Sequence, residues 1–358
     1  MKKLMFYINA IHHGGAERVM VNLAEQFAAV GVECILVTSF VDEWEYPVPP
    51  SVTRVSLYEK KIRGFARRNL KLTASLRRLV RKEKPDLLIT FMAEPNFRGL
   101  LASVGQKTKN LISIRNDPER EYPNRVSRLL AKFLFRRADG IVFQTEEAKN
   151  WFPKKIQKKS RVILNQVDER FYTTAHENQE KRIVTTGRLV AQKNHRLLIE
   201  AFANVADQIE ESLWIYGDGP LKNGLSSLIE QYGLQDRVFL PGATTNVPAV
   251  LASAEIFVLS SDYEGLPNAL MEAMAMGLPC ISTDCPCGGP RALMEHSQKF
   301  LIPVGDRSAL AQAIFSLATD KNLREAASAA NRTDAQRFRP ETVFDEWRKF
   351  AELLTANH

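Results

Sequence analysis

Residues 260–283 read SSDYEGLPNALMEAMAMGLPCIST, and the order of signals in this stretch decides the fold. Just upstream, residues 256–261 (IFVLSS) form a short apolar run rich in β-branched side chains, which predicts a buried strand. Pro267 opens a helical pattern that Gly277 and Pro279 close. LPCIST then supplies another strand. Strand, loop, helix and strand in this order predict a parallel sheet with helices packed on it. Glu264 therefore sits where a strand ends and a helix begins, beside free backbone N–H groups that favour anions. Glu272 lies about two turns further on among Met271, Ala273 and Met274. That apolar setting implies burial, against the alternative of a salt-bridged glutamate on a helix surface.

Working outward, the same alternation recurs twice. LMFYIN, a Gly-Gly loop and a helix with Val19, Leu23, Phe27 and Val30 at helical spacing begin the chain. CILVTSF, DLLITFM, NLISIR, GIVFQT and SRVILN follow as strands between helical patterns. A second series runs RIVTTGR, SLWIYG, RVFLPG, IFVLSS and LPCIST. Between the two series, DERFYTTAHENQEKR is polar and aperiodic and reads as a linker. The expected organisation is a Rossmann-like domain over 1–168, a linker over 169–182, a second Rossmann-like domain over 183–336 and a final helix over 337–358. In open α/β sheets, ligands bind beyond the carboxyl ends of the strands. Every distinctive loop sits there: IHHGGAE, MAEPN, IRNDPE, GRLVAQKN, GDGP, GAT and YEGLPN. Two such domains facing one another form a cleft for two substrates.

The bulk numbers agree with this division. A chain of 358 residues exceeds the size of one core, and 45% hydrophobic with 25% charged residues is ordinary for a globular protein. No apolar run approaches the ~18 residues that span a bilayer. MKKLMFYINAIHHGGAE lacks a signal-peptide cleavage site, so a cytoplasmic location is expected. Cys285 and Cys287 are too close for an ordinary disulfide, and Cys34 and Cys280 lie in strand-like runs, which fits a reducing compartment. No second Cys or His cluster supports CPC as a metal site, and no Asp-x-Asp motif is present.

Charge is uneven. Residues 1–176 carry 32 Lys and Arg against 18 Asp and Glu, a balance of +14; the remainder carries 17 against 23, a balance of −6. The basic half predicts an anionic partner. Its densest part is YEKKIRGFARRNLKLTASLRRLVRKEKPD. On a helical wheel Ile62, Phe65, Leu72, Leu76 and Leu79 share one face, with Lys60, Arg63, Arg67, Lys71, Arg78 and Arg81 opposite. Such a helix either packs on a core with a solvated outer face or meets an anionic membrane surface or the pyrophosphate of a lipid-linked acceptor. Aromatic residues do not interleave with the charges, so nucleic acid is not the expected partner.

Individual residues carry more specific chemistry. Arg188 and Lys193 follow a strand closely enough to converge on one anion, a guanidinium fork and a point charge suited to a pyrophosphate; the alternative is two exposed loop cations. Gly14 and Gly15 follow the first strand and permit close approach to a phosphate, although a plain turn reads the same way. A carboxylate such as Glu264 beside an anion site is unfavourable unless it binds hydroxyls next to the phosphate. A sugar nucleotide offers that combination.

These stretches together resemble the retaining glycosyltransferases of family 4, which have the GT-B fold and an E-x7-E signature that Glu264 and Glu272 match. The resemblance is carried by INAIHHGGAERVMVNLAEQFAAVG, TTGRLVAQKNHRLLIEAFA, IYGDGPLKNGLSSLIEQYGLQDRVFLPGA and LASAEIFVLSSDYEGLPNALMEAMAMGLPCISTD, in the family's order. It implies that Glu264 binds donor-sugar hydroxyls and steadies charge at the anomeric carbon. It further implies that Glu272 binds ribose, that Arg188 and Lys193 neutralise the diphosphate without a divalent metal, and that amides around Gly265, Leu266 and Asn268 hold phosphate and sugar. Many relatives carry a histidine in the loop after the strand NLISIR; here Arg115, Asn116 and Asp117 stand there, and Arg115 and Asn116 are candidates for the acceptor or membrane side. His12 and His13 offer no firm replacement. The resemblance implies front-face attack, with the donor phosphate accepting the acceptor's proton. CPCGGP resembles a loop in relatives that use UDP-hexosamine or UDP-galactose, which favours UDP. The final helix, by the same resemblance, crosses back onto the N-terminal domain. The expected function is transfer of a hexose or N-acetylhexosamine from a UDP-sugar to a glycan or lipid-linked acceptor, by a protein peripheral on the inner face of the cell membrane. The alternatives are a sugar-nucleotide epimerase of the same fold and a GDP-mannose-dependent transferase.

Overall fold

The structure, a computed structural model, describes residues 1–11, 14–41, 45–58, 63–174 and 180–356, and divides into two compact units. Unit 1 comprises Met1–Asn165 and Val343–His358; unit 2 is Gln166–Thr342. Both are Rossmann-like. Unit 1 holds seven strands: β1 (Lys3–Ile8), β2 (Glu33–Phe40), β3 (Thr53–Tyr58), β4 (Leu87–Phe91), β5 (Lys109–Ser113), β6 (Gly140–Phe143) and β7 (Ser160–Val162). They lie in the order β3-β2-β1-β4-β5-β6-β7, every pair parallel. Unit 2 holds β8 (Arg182–Thr186), β9 (Ser212–Tyr216), β10 (Val238–Gly242), β11 (Ile256–Leu259), β12 (Cys280–Thr283) and β13 (Leu301–Ile302) in the order β10-β9-β8-β11-β12-β13, again all parallel.

Central strands are apolar along their whole length because helices cover both faces. All five residues of β4 and all four of β6 and β11 are buried. The helices used below are α1 (Gly15–Ala29), α2 (Phe65–Glu83), α3 (Ala93–Ala102), α4 (Arg125–Leu134), α5 (His195–Ala203), α6 (Asn268–Ala275) and α7 (Pro340–Thr355).

Three features depart from the sequence expectation. The edge strand β3 has a half-exposed pattern without a continuous apolar run, and β13 is only two residues long. The supposed linker is not a free tether: Arg170–Thr173 forms a helical turn, Phe171 is buried, and the Tyr172 hydroxyl donates to the Ala335 carbonyl at 2.9 Å. Unit 2 therefore starts at Gln166, while residues 175–179 of that stretch lie outside the described residues. The basic helix begins at Phe65; Arg63 precedes it, and Lys60 and Ile62 lie outside the described residues.

The last helix, α7, is part of unit 1. Phe344 meets Phe27 edge-on at 5.0 Å, and the fully buried Trp347 lies 5.7 Å from Phe91. Gly140 makes room for it, since a Cβ there would sit 2.6 Å from Leu354 Cδ1 and 2.9 Å from Phe350 Cζ. Trp347→Ala removes a fully buried indole and is expected to cost about 3–5 kcal/mol, read as a lower urea midpoint. An unchanged midpoint would separate α7 from the core of unit 1.

Candidate active site

In unit 2 the strand order reverses between β8 and β11, the position at which an open α/β sheet forms a crevice at its carboxyl edge. The loops leaving these two neighbouring strands carry Arg188 and Lys193 on one side and Glu264 on the other. Their backbones are tied together. Asp262 N–H donates to the Gln192 carbonyl at 2.9 Å, Ser260 Oγ to the Lys193 carbonyl at 3.0 Å, and Gln192 Nε2 to the Tyr263 carbonyl at 3.0 Å. Asn194, left-handed at φ 42°, ends a 3₁₀ turn and begins α5. Its side chain accepts from Leu197 N–H and donates to Asp262 Oδ1 at 2.7 Å. An αL asparagine with local hydrogen bonds is the ordinary way to turn a chain so sharply without glycine.

On this frame the Lys193 ammonium and Glu264 Oε1 lie 2.6 Å apart, with side-chain exposures of 16% and 9%. Ser261 Oγ donates to the same oxygen at 2.7 Å, and Gln192 Nε2 stands 3.4 Å from Oε2. The methylenes of Lys193 run over Gly187, within ordinary contact of where a Cβ would be. Arg188 is exposed on the same loop. A pair so far removed from water holds its geometry because either charge alone would be strongly disfavoured. An entering diphosphate can take the ammonium, and sugar hydroxyls can take the carboxylate.

Beyond Glu264 the chain enters α6 through Gly265, Leu266 and Pro267, with no side chain capping the helix start. A helix start without a side-chain cap favours an anion through its first-turn backbone. Gly289 sets this loop: a Cβ on it would clash with the Gly265 carbonyl oxygen and crowd Pro267 Cδ at 3.3 Å. The CPCGGP loop is thus the floor beneath YEGLPN. Cys285 donates to the Ser261 carbonyl at 3.2 Å, and Thr283 Oγ1 donates to the same oxygen at 2.5 Å. Burial pushes the Cys285 thiol up to about 12, so it stays protonated. Glu272 is buried on α6, one turn after Asn268. The field of its carboxylate reaches Arg170, whose pKa is raised first by its hydrogen bond to Asp168 and also by Glu272. Among the described residues no group of three or more His, Cys, Asp or Glu side chains is placed to hold a metal ion.

The residues expected in the basic half belong to unit 1. Gly14 and Gly15 do begin α1, but the Glu17 carboxylate folds over Gly14, so an anion at that helix end must first displace it. Arg115 requires correction as a membrane candidate. The residue is 9% exposed, and its guanidinium stacks on the Phe91 ring at 4.6 Å and donates to Asn165 Oδ1. Burial draws it down to about 9, opposed by the Glu17 carboxylate, and it cannot reach a bilayer. Asn116 is exposed, with Oδ1 accepting from Asp117 N–H. Arg63, Arg67 and Lys71 are exposed on or just before α2. His12 and His13 lie outside the described residues. Sequence reading missed Ser261, Gln192, Asn194 and Arg170. The first three flank recognised positions in short polar loops, whereas Arg170 stood in the supposed linker.

A crevice at the switch point of a parallel sheet, with a cation–carboxylate pair and an uncapped helix end, has the chemistry to take phosphate and hydroxyl groups. Comparison narrows the class. Residues 13–171 match Glycosyltransferase Family 4, and residues 167–334 match Glycosyl transferases group 1. The chain is 28% identical over 358 aligned residues to a Campylobacter jejuni N-acetylgalactosamine-N,N'-diacetylbacillosaminyl-diphospho-undecaprenol 4-alpha-N-acetylgalactosaminyltransferase, covering 94% of this chain and 96% of that one. It is 32% identical to an uncharacterized glycosyltransferase of Methanocaldococcus jannaschii over 251 residues, 63% of this chain and 62% of that relative. The crystal structure of Anabaena HepE in complex with UDP and glucose superposes with a TM-score of 0.81 at 19% identity, covering 98% of this chain and 99% of that one. The chain belongs to the GT-B glycosyltransferases of the family-4 type.

His195, the first residue of α5, gives this loop a pH dependence. Burial, reinforced by the charge of Lys193, holds its imidazole down to about 4 beside the Gly187 and Arg188 backbone. Its folded pKa lies below the unfolded value, so the unfolded chain takes the proton first and stability falls as pH drops from about 6.5 toward 4, by up to about 3 kcal/mol. Urea titrations of wild type and His195→Gln should diverge in that window and run parallel above it. Parallel curves throughout would refute the assignment.

Proposed function

We propose that this glycosyltransferase moves a hexose or N-acetylhexosamine from a UDP-sugar to a lipid-linked or lipopolysaccharide glycan, with retention of anomeric configuration and without a divalent metal. The Lys193–Glu264 pair beside the uncapped start of α6 carries the reading. Lys193 and Arg188 neutralise the diphosphate, whose charge grows as the glycosidic bond breaks. Glu264, released from Lys193, binds the sugar hydroxyls and faces the positive charge developing at the anomeric carbon. Glu272 binds the ribose. The helix end and the two cations take the place that a metal ion holds in other transferases, while the leaving phosphate accepts the acceptor's proton. UDP is favoured over GDP by the CPCGGP loop beneath this site, and the Anabaena neighbour was solved with UDP. The Campylobacter relative acts on a diphospho-undecaprenol acceptor, and the basic outer face of α2 suits an anionic membrane presenting such an acceptor. The protein then works peripherally at the inner membrane face. Transferase relatives along the whole chain leave no observation that favours the epimerase.

Isothermal calorimetry separates the roles. Lys193→Ala should weaken UDP by about 10- to 100-fold, the worth of a charge-assisted hydrogen bond. Glu272→Ala should also weaken UDP. Glu264→Gln should leave UDP affinity unchanged or raise it, because Lys193 is freed, while turnover drops by about 100-fold or more. Unchanged UDP affinity in both the Lys193 and Glu272 variants would remove the donor assignment, and tighter binding of GDP than of UDP would reassign the nucleotide.

The stereochemical and metal predictions are tested on the product. Activity should persist in EDTA, and NMR of the new glycosidic bond should show the donor's α configuration. Inversion, or activity abolished by chelation and restored by Mg²⁺ or Mn²⁺, would exclude the proposed chemistry.

A further inference from the structure

Helix α4 is amphipathic in the wrong sense for a soluble surface helix. A helix on a globular domain turns its apolar stripe to the core. Here Val126, Leu129, Leu130 and Phe133, spaced i, i+3, i+4, i+7, are 67%, 69%, 47% and 67% exposed. The helix is not loosely held. Asn124 caps it by accepting from Ser127 N–H at 2.8 Å, and Ala131 is buried on its inner side. Phe135, just past its end, packs against Phe97 at 5.3 Å and Tyr122 at 5.9 Å. Arg128 Nε donates to the Tyr122 carbonyl at 3.0 Å, and Lys132 lies over the Trp151 ring at 4.4 Å. The outer face is therefore fixed in place with four large apolar side chains in solvent.

Its border is cationic. Arg125, Arg136 and Arg137 are exposed at the two ends of the stripe, and the helix itself contains no acidic residue. Two further exposed apolar residues, Phe65 and Leu70, occupy the first turns of α2, flanked by exposed Arg63, Arg67 and Lys71. The remainder of the apolar side of α2 is spent on the core, where Leu72, Leu76 and Val80 are fully buried. Thus α2 offers mainly charge outward, whereas α4 offers charge and hydrocarbon together.

We propose that α4 is an in-plane membrane anchor that inserts Val126, Leu129, Leu130 and Phe133 into an anionic bilayer while its flanking arginines hold the headgroups. Apolar insertion with cationic flanks is the combination that gives an amphipathic helix stable interfacial binding. A second copy of this chain fits less well. A two-fold contact through the stripe would bring Arg125, Arg136 and Arg137 against their own counterparts. The inference rests on the reading of the acceptor as membrane-held.

Flotation of the full-length protein with phosphatidylglycerol–phosphatidylcholine vesicles, and with phosphatidylcholine alone, tests it. Wild type should partition onto the anionic vesicles. The Leu129→Gln/Phe133→Gln double variant changes only exposed positions; it should keep its circular dichroism and UDP affinity yet lose partition by about tenfold or more. Arg63→Glu/Arg67→Glu/Lys71→Glu should weaken the salt-sensitive part of binding, and the indole of Phe133→Trp should be quenched by lipids brominated on the acyl chain. Equal partition of the double variant, or an unquenched indole on bound protein, would overturn the proposal. So would a wild-type dimer that the double variant dissociates, since that assigns the stripe to a second copy. No donor or acceptor is present in these assays. Failure of the donor-site reading would appear separately, as absent UDP binding with vesicle partition intact.

Discussion

A lysine ammonium and a glutamate carboxylate 2.6 Å apart and nearly out of water constrain much of unit 2. Neither charge is tolerable there alone, so the loops that carry them must stay in register to within a few tenths of an ångström. The backbone bonds between residues 192 and 262, the αL turn at Asn194 and the Ser261 hydroxyl serve that register. Paired, the two charges also offset one another. A diphosphate bound as proposed would compete with Glu264 for Lys193, each negative charge weakening the carboxylate's hold on the ammonium. Under the donor assignment proposed above, release of Glu264 toward the sugar would be coupled to arrival of the phosphate.

The second constraint is steric. The loop before α6 packs closely on a second loop, and it can do so because Gly289 leaves room for the Gly265 carbonyl. Under that floor, Thr283 and Cys285 share the Ser261 carbonyl, which in turn fixes the residue whose hydroxyl holds Glu264. CPCGGP and YEGLPN are therefore one structural object.

Much of this was legible before the structure. Apolar runs such as LLITF and IFVL are unambiguous because a central parallel strand is buried on both faces; Glu264 and Lys193 stood out by their places after strands, and Glu272 by its apolar neighbours within a helix. What escaped reading had physical reasons. The edge strand β3 mixes polar and apolar residues because only part of it is covered. The turn at Arg170–Thr173 depends on Phe171 finding a buried place in unit 2, a contact remote in sequence. Arg115 looked like a surface cation because its type is normally exposed, and nothing nearby in sequence announces that Phe91 and Asn165 enclose it.

Helices α2 and α4 show the limit of pattern reading most clearly. Each has an apolar stripe at helical spacing and basic residues beside it, so periodicity alone describes them in the same words. A stripe states that a face avoids water and is silent on what covers it. In α2 the cover is the sheet: Leu76 and Val80 join Met5, Tyr7 and Leu88 in one core. In α4 the inner side needs only Ala131, because Phe135 and its aromatic neighbours secure the helix end, which leaves the larger side chains facing outward. The small residue on the inside and the large ones on the outside invert the usual arrangement. Selection for stability alone would bury the phenylalanine and expose the alanine. An arrangement that forgoes this burial on a well-anchored, cation-flanked helix calls for a hydrocarbon environment outside the protein.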